Sequence, residues 1–358
     1  MRRPLSSLAL IAMLAAGITP TPAAATGASA LRLPVVPAGV LTRNLYLGAD
    51  LTPVIQAADF AQFLAATTEV WETVQGNDFH VRVRALADEI AWTRPALVGL
   101  QEAYTWRIQV PGDILVGGTT PAETVVYDYV PELLAELARR GIRYREAVSL
   151  PLFDFEAPIA TGEDVRLTDH LVVLARADVE IRNPIQRPYR TLLPLTVFGQ
   201  EAPVLVLRGW ESVEARVHRG PWFTFVNTHL EAFHPEVRTA QAMELERALA
   251  GVAGPVVLVG DLNSLPGTEG EAVLAAAGFE DAWAERFRRR PGNTCCWPED
   301  LSVVPSPPVL DQRIDYVLSR GPVRPLHLEV VGDRPWEREG GLWPSDHAGV
   351  AAWLLIGR

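Results

Sequence analysis

Polar side chains that could bind a metal or move a proton lie at the ends of strand-like apolar runs. In the clearest case, the run from Val256 to Gly260 ends in Asp261, and Asn263 follows two positions later. Alternate residues of an extended chain point to the same side, so the carboxylate and the amide can present their oxygens together. Burial of two such groups without partners costs roughly a few kcal/mol. The pattern therefore indicates a metal, a phosphate or a polar network, with an Asx-type turn as the alternative.

Five other strand-like stretches carry a comparable polar interruption. The residues concerned are Asn44, Glu102, Asn227 with His229, Asp315, and Asp346 with His347. Any one of these interruptions could be accidental. Six of them, drawn only from Asn, Asp, Glu and His, predict that distant strands converge on a single site.

In this order, the motifs resemble those of the endonuclease/exonuclease/phosphatase superfamily, which includes deoxyribonucleases, abasic-site endonucleases, neutral sphingomyelinases and inositol-polyphosphate 5-phosphatases. The matching residues are Asn44, Gln101, Glu102 and residues 227–231, 260–264, 313–317 and 345–347. Each motif is short, but the ordered set is specific, and the resemblance extends from about residue 41 to the C-terminus. It implies an α/β fold, a four-layer sandwich of two facing mixed β-sheets with helices on the outer faces.

The resemblance also implies hydrolysis of a phosphate ester with the help of a divalent cation. Mg²⁺ is the expected cofactor, with Mn²⁺ or Ca²⁺ as alternatives, because the implied ligands are all oxygen donors. Glu102 would be the principal metal ligand, and Asn44 and Asp346 would complete or orient its shell. These three residues form the predicted metal site.

The implied catalytic residues are His347, Asp315, His229, Asp261 and Asn263. His347 would be the general base, since a reference pKa of about 6.5 suits proton abstraction at neutral pH, and Asp315 would hold its tautomer. His229 and Asn263 would bind the phosphoryl oxygens. Asp261 would stabilise or protonate the leaving group, with a second metal ion as an open alternative.

Several of these assignments have a structural alternative. His229 could be a buried structural histidine, and Asp315 could pair only with Arg313, which lies on the same side of its strand. Asp50 could support the site or close a turn. Three further candidates for phosphate contact stay undecided, namely Asp169, His170 and Arg176.

A secreted, metal-dependent phosphodiesterase or phosphatase is the function that these residues predict. A secreted nuclease acting on DNA or RNA is the alternative within the same chemistry. A non-catalytic phosphate-ligand binding protein is the alternative of another class, but it would not need His347 paired with Asp315. The expected partner is the phosphate-ester substrate; no stable protein partner is predicted, and nucleic acid enters only as a substrate.

The charge of the chain disfavours a protein that follows many phosphates along a strand. The 358 residues include 43 acidic and 32 basic residues, which gives a net charge of −11, and every basic residue is arginine. Non-specific nucleic-acid binding depends on neutralised phosphates, so this acidic balance argues against it. The best local basic candidate is the segment 286–290, although such runs are usually solvated loops.

The N-terminal residues have the pattern of a secretory signal peptide. Arg2 and Arg3 precede a mostly apolar stretch over residues 8–18, and small residues fill positions 23–30. This stretch is shorter than the roughly 20 residues that span a bilayer, and we predict no transmembrane segment. We expect a secreted protein with a signal peptide at 1–30, a linker at 31–40 and an endonuclease/exonuclease/phosphatase-like domain at 41–358.

The remaining pattern alternates strands with helices. Periodicity, caps and breakers predict helices over residues 52–64, 83–90, 131–140, 235–250 and 268–278, the last with a capping box from Thr268 and Glu271. Residues 168–170 predict a polar turn, and residues 291–308 a long loop. In that loop, Cys295 and Cys296 could form a vicinal disulfide or stay free; the sequence supports neither a zinc site nor a catalytic thiol.

Overall fold

This computed structural model describes residues 35–200, 202–306 and 309–357. These residues include sixteen strands and seven α-helices. The strands are β1 (Val36–Asn44), β2 (Leu97–Gln101), β3 (Thr105–Gln109), β4 (Thr124–Asp128), β5 (Tyr144–Pro158), β6 (Asp164–Arg176), β7 (Glu180–Pro188), β8 (Leu193–Leu195), β9 (Val204–Val206), β10 (Gly209–Arg216), β11 (Trp222–His229), β12 (Val256–Asp261), β13 (Glu280–Asp281), β14 (Asp315–Arg320), β15 (Val323–Val331) and β16 (Gly349–Ile356). The helices are α1 (Thr52–Gln56), α2 (Phe60–Gly76), α3 (Phe79–Thr93), α4 (Tyr129–Arg139), α5 (Pro235–Leu249), α6 (Glu269–Ala276) and α7 (Ala282–Arg286).

These strands form two large mixed sheets and one small hairpin. Sheet A has the order β15-β16-β1-β2-β6-β3-β4, and β5 also pairs with β6. Sheet B has the order β13-β14-β12-β11-β10-β7. Each sheet contains a parallel pair, β1 with β2 in sheet A and β11 with β12 in sheet B. The short strands β8 and β9 form the separate hairpin.

Alternating apolar side chains pack the two sheets against each other and against the helices. On β12, Val257 and Val259 belong to the core between the sheets, whereas Val256 and Leu258 pack in the cluster that includes α5 and α6. The outer face of sheet A packs in the same way against α2, α3 and α4. An unbroken apolar strand such as β12 is therefore buried on both faces, and the predicted four-layer α/β sandwich is confirmed.

The predicted helix over residues 52–64 is wrong, because the chain forms two helices there. The first, α1, ends at Gln56, and the side chain of Asp59 then caps α2 by accepting a hydrogen bond from the backbone N–H of Gln62. An aspartate in this position satisfies a free N–H group at the start of a new helix. A single helix would place Ala58 and Ala61 on one apolar face with Val54, but both alanines are exposed.

Two smaller predictions are also wrong. The capping box does not form, because the Thr268 hydroxyl donates to the Leu265 carbonyl and the Glu271 carboxylate accepts from the Gly267 N–H. Residues 168–170 form no turn, since they lie within the long strand β6, where they pair with β3 and β5. Other local hydrogen bonds replace the capping box, whereas strand pairing overrides the turn pattern at residues 168–170.

The N-terminal boundary of the sheet precedes the predicted one. Residues 36–40, predicted as linker, pair with β16 in sheet A. The predicted signal peptide lies outside the described residues. Within the described ranges, no helix is both long and apolar enough to cross a membrane.

Gly99 in β2 lies where the facing sheet leaves no room for a side chain. A Cβ atom there would be 2.5 Å from Val259 Cγ2 and 2.7 Å from Asn227 Oδ1. We expect Gly99→Ala to lower the free energy of unfolding by about 1–3 kcal/mol, measured by chemical denaturation, because it overpacks the core between the sheets. The matched control is Gly251→Ala, since no atom lies within 4 Å of a Cβ there. Equal stability of the two variants would contradict this close approach.

Candidate active site

Strand pairing brings the predicted site residues to one edge of the sandwich. In sheet B, His229 at the end of β11 pairs with Asp261 at the end of β12, which pairs with Asp315 at the start of β14. In sheet A, Asn44 ends β1, and Glu102 follows the neighbouring end of β2. A hydrogen bond from Asn44 Nδ2 to Asp261 Oδ2, at 3.2 Å, joins the two sheets at this edge. The strand ends therefore converge.

His347 and Asp315 form a buried hydrogen-bonded pair at this edge. Nδ1 of His347 lies 2.8 Å from Oδ2 of Asp315, and Nε2 of His347 lies 3.9 Å from Oδ2 of Asp261. Burial acts to lower the pKa of His347, but the charges of Asp315 and Asp346 outweigh it and raise that pKa well above its ordinary value. The Asp315 carboxylate therefore orients the ring and stabilises its protonated form.

His229 faces the same carboxylate from the other side. Its Nε2 lies 3.4 Å from Oδ2 of Asp261, and its Nδ1 accepts a hydrogen bond of 2.8 Å from the Arg208 guanidinium. Burial, followed by the charges of Arg208 and His347, lowers the pKa of His229 well below its ordinary value. A neutral imidazole that accepts at Nδ1 carries its proton on Nε2, so His229 presents a donor to the site.

Arg208 is not among the predicted site residues, although the sequence contains a pattern that indicates it. Arg208 follows the apolar residues 203–207, in the manner of the other polar residues that follow apolar runs. Only Asn, Asp, Glu and His were predicted as ligands or bases at such positions. An arginine that fixes a histidine tautomer was therefore overlooked.

Asn263 lies beside His229 in a left-handed backbone conformation. Its φ angle is 48°, its backbone N–H donates to Asp261 Oδ1 at 2.9 Å, and its side-chain amide donates to the Leu230 carbonyl at 3.0 Å. The amide nitrogen is also 3.2 Å from His229 Nε2. Left-handed non-glycine residues cost free energy and concentrate at functional sites. Here the conformation turns the Asn263 amide towards His229.

The predicted metal ligands cluster around one carboxylate-rich volume. Asn44 Nδ2 donates to Glu102 Oε1 at 3.1 Å as well as to Asp261, while the Leu47 N–H donates to Glu102 Oε2 at 2.9 Å. Desolvation raises the pKa of Asp346 to about 6, His347 opposes that rise, and the charge of Glu102 adds to it. Such a set of oxygen donors with mutual repulsion fits a hard divalent cation.

Asp261 is the most strongly perturbed of these carboxylates. Desolvation and the charge of Asp315 raise the pKa of Asp261 to about 7, although His347 acts in the opposite direction. One oxygen atom each from Asp261 and Asp315 and a ring nitrogen of His347 lie within 4.8 Å of one another. Asp261 can therefore hold or release a proton close to neutral pH.

Two fully buried arginines hold the loops that carry the site. Arg43 donates to both carboxylate oxygens of Glu89, at 2.9 Å each, and to the backbone carbonyl of His347. Arg82 donates to the carbonyls of Leu45 and Pro344, both at 2.8 Å. These bonds tie β1 and the loop before β16 to α3. No sequence pattern indicates this support, because each bond joins distant segments.

The three undecided candidates for phosphate contact, Asp169, His170 and Arg176, have different partners in the structure. Asp169 Oδ2 lies 3.7 Å from the Arg208 guanidinium, whereas the His170 ring is 3.1 Å from the Ala103 carbonyl oxygen. Arg176 forms an ion pair with Asp178 instead. Of the three, Asp169 is the one with a contact to the residues around His229.

Two structural alternatives are now distinguished. Arg313 pairs with Asp281 and not with Asp315. Asp50 closes a turn, because its carboxylate accepts from the Thr52 N–H at 2.8 Å.

The long segment between α7 and β14 contains the two cysteines and the arginines at positions 288–290. Cys295 and Cys296 form a disulfide, and one atom from each lies within 4.8 Å of a ring nitrogen of His347. Residues 291–306 contain no helix or extended strand, as predicted for the described part of this loop. Arg288, Arg289 and Arg290 are exposed, and Arg288 and Arg290 line a surface pocket together with Leu265, Pro266 and Arg313.

Solved structures share this fold at low sequence identity. A mannosyl-6-phosphatase from Bacteroides thetaiotaomicron has a TM-score of 0.54 and 16% identity, over 88% of this chain and 99% of that one. D. rerio TDP2 complexed with a single-strand DNA product has a TM-score of 0.51 and 15% identity, over 89% of this chain and 98% of that one. An endonuclease/exonuclease/phosphatase from Beutenbergia cavernae has a TM-score of 0.51 and 19% identity, over 90% of this chain and 72% of that one. Curated protein sequences gave no match.

The fold and the site are those of a metal-dependent hydrolase of phosphoric ester bonds. The model of the Endonuclease/Exonuclease/phosphatase family matches residues 73–347, and the chain belongs to this family. The resemblance inferred from the motifs is thereby confirmed.

Arg208 acts together with burial to lower the pKa of His229 in this site. Because the charge of Arg208 helps to lower the pKa of His229, we expect Arg208→Met to raise that pKa and to mix the two ring tautomers. Nitrogen-15 NMR of the histidine rings across a pH series measures both changes. Arg176→Met is the matched control, since Arg176 pairs with Asp178. An unchanged His229 titration in Arg208→Met would refute the assignment.

Proposed function

We propose that the protein is an exported phosphodiesterase or phosphatase in which His347 activates the attacking water. The observation that carries this proposal is the buried pair of His347 and Asp315, whose free ring nitrogen faces Asp261. A protein that only bound phosphate would gain nothing from a histidine oriented in this way. Export rests on the sequence of residues 1–30 alone.

Glu102, Asp346 and Asn44 are the residues that would hold a divalent cation, and Mg²⁺ is the cation we propose. The cluster fits such an ion because its donors are oxygens, and desolvation together with the charge of Glu102 raises the pKa of Asp346. When bound, the ion would neutralise phosphoryl oxygens and lower the charge of the cluster. Asn44 acts mainly as an orienting residue, since its amide N–H bonds link Glu102 to Asp261.

The other side chains supply proton transfer and orientation. A cation held by Glu102 and Asp346 would offset the carboxylate charges that raise the pKa of His347, so that a neutral ring can take the proton of the attacking water at Nε2. Asp315 keeps Nδ1 protonated and stabilises the imidazolium that forms. His229 donates from Nε2, and Asn263 from its amide, to the phosphoryl oxygens. Asp261 delivers a proton to the leaving oxygen, a role for which a pKa of about 7 is suited.

A nuclease is the weaker candidate within the same chemistry. D. rerio TDP2 has been solved with a single-strand DNA product, but at 15% identity that similarity concerns the fold. The net charge of −11 argues against a basic groove that follows successive phosphates. A compact site for one phosphate ester is better supported.

Metal removal tests the cofactor proposal directly. We expect chelation to abolish hydrolysis of bis(p-nitrophenyl) phosphate or p-nitrophenyl phosphate, and Mg²⁺ or Mn²⁺ to restore it, because the carboxylates require a counter-charge. Binding of Mn²⁺, followed by electron paramagnetic resonance, should weaken in Glu102→Gln. Full turnover after exhaustive chelation would exclude the metal mechanism.

The general-base assignment predicts matched losses from two variants. His347→Ala should lower kcat by about a hundredfold or more, the usual scale of general acid–base catalysis, and Asp315→Asn should do similar damage by allowing the wrong tautomer. Steady-state kinetics measures both, and circular dichroism checks that the variants fold. Asp178→Asn serves as the control, since Asp178 pairs with Arg176 away from the site. Wild-type turnover in both site variants would disprove the assignment.

A further inference from the structure

An open cavity of about 340 Å³ adjoins the catalytic residues. Its charged end contains Glu102, Asp346, Asp169 and Arg208, and its other walls are largely apolar. We propose that this cavity binds an aliphatic chain of the substrate, so that the substrate is an amphiphilic phosphate ester. The inference rests on the proposed function and adds the chemical class of the group that the phosphate carries.

The apolar walls come from four separate segments of the chain. Residues that line them include Leu51 and Val54 near α1, Phe153 and Phe155 on β5, and Leu195 and Val204 on the β8–β9 hairpin. Protein interiors are normally packed as densely as organic crystals. Large apolar hollows with a few convergent polar groups are the usual form of a small-molecule site. The side chains therefore line a binding space and not a packing defect.

The charged end is suited to a polar head group beside that chain. Asp169 and Arg208 are both buried, and Asp169 Oδ1 and Arg208 Nε have no hydrogen-bond partner among the described residues. Buried polar atoms are nearly always satisfied in native proteins. Two unsatisfied atoms at the junction between the cavity and the catalytic residues point to a ligand that supplies the missing partners.

The lining disfavours a nucleic-acid strand or a sugar in the same space. The charged lining residues are five acids and one arginine, namely Asp50, Glu102, Asp169, Glu299, Asp346 and Arg208. A strand would bring further phosphates close to these carboxylates, with one arginine to neutralise them. A sugar would need donors and acceptors along walls that are formed by leucine, valine and phenylalanine side chains.

A chain-length series tests the proposal without catalysis. Methyl-, butyl- and octylphosphonate, which the enzyme cannot hydrolyse, are titrated into the full chain with Mg²⁺ in a calorimeter, below their micelle concentrations. We expect the affinity to rise by about two- to fourfold per methylene until the cavity is full, since each buried methylene favours binding. The heat-capacity change of binding should become more negative along the series.

The hairpin offers a matched pair of variants. Val204 lines the cavity, whereas its neighbour Leu205 does not and is 45% exposed. We expect Val204→Trp to fill the space and abolish the chain-length dependence while methylphosphonate still binds, and Leu205→Trp to behave as wild type. Leu195→Trp, which alters the residue paired with Val204, repeats the test from the opposite strand. Thermal unfolding confirms that each variant is folded.

The outcomes separate this inference from the proposed function. A flat series in the wild type, or an equal series in Val204→Trp and Leu205→Trp, overturns the cavity assignment even if the enzyme hydrolyses p-nitrophenyl esters. Tighter binding of a dinucleotide than of octylphosphonate also overturns it. A length-dependent series that Val204→Trp removes supports the cavity assignment, whether or not a hydrolysed ester is found. Failure of every phosphate ester to be hydrolysed counts against the proposed function alone.

Discussion

Repulsion among buried carboxylates is the constraint on which the site of this protein depends. Asp261 pairs in register with Asp315, and both face a volume that also receives Asp346 and Glu102. Desolvation by burial, together with the charge of Asp315, raises the pKa of Asp261 from 3.8 to about 7. The folded state therefore binds this proton more tightly than the unfolded state does, and the contribution of Asp261 to stability falls as pH rises between these values. A cation bound by the cluster relieves this repulsion, which couples folding to metal binding.

The scaffold holds these charges together with rigid elements and local strain. The parallel pairs β1–β2 and β11–β12 place their carboxyl ends side by side, so no flexible loop has to bring them together. Tyr46, Glu102 and Asn263 adopt positive φ angles of 62°, 53° and 48° around the strand ends. Such conformations persist only where the surrounding contacts hold them. Arg82 supplies several of those contacts through the backbone near Tyr46.

The sequence predicted the strand ends well because their signal is local. An apolar run followed by Asp261 and Asn263 identifies both the buried strand and the side of it that carries the oxygens, and the structure retains that arrangement. The order of the motifs then supplied the fold through a resemblance. The helix over residues 52–64 failed for the opposite reason, since Asp59 interrupts a periodicity that looked continuous.

The bonding partners of residues that act through other residues were beyond the reach of these patterns. Arg208 and Arg43 bond to groups that are 21 and 304 positions away along the chain. Spacing arguments concern neighbours on one element, so they do not reveal such bonds. The same holds for Gln101, whose side chain donates to Asn227 Oδ1 at 2.6 Å across the two sheets. These two amides belong to the set of polar strand residues, yet they form an internal support under the site.

The site residues and the cavity walls come from different elements of the fold. The residues that would hold the metal and activate water come from the regular strand ends, which the fold positions in a single way. The cavity walls come partly from α1 and from the β8–β9 hairpin, which pairs with neither large sheet. A change in the hairpin can alter the space next to the phosphate without disturbing the register of His229 and Asp261. Under the proposed function and cavity assignment, substrate choice would be a property of the peripheral elements, while the hydrolytic chemistry would be a property of the core strands.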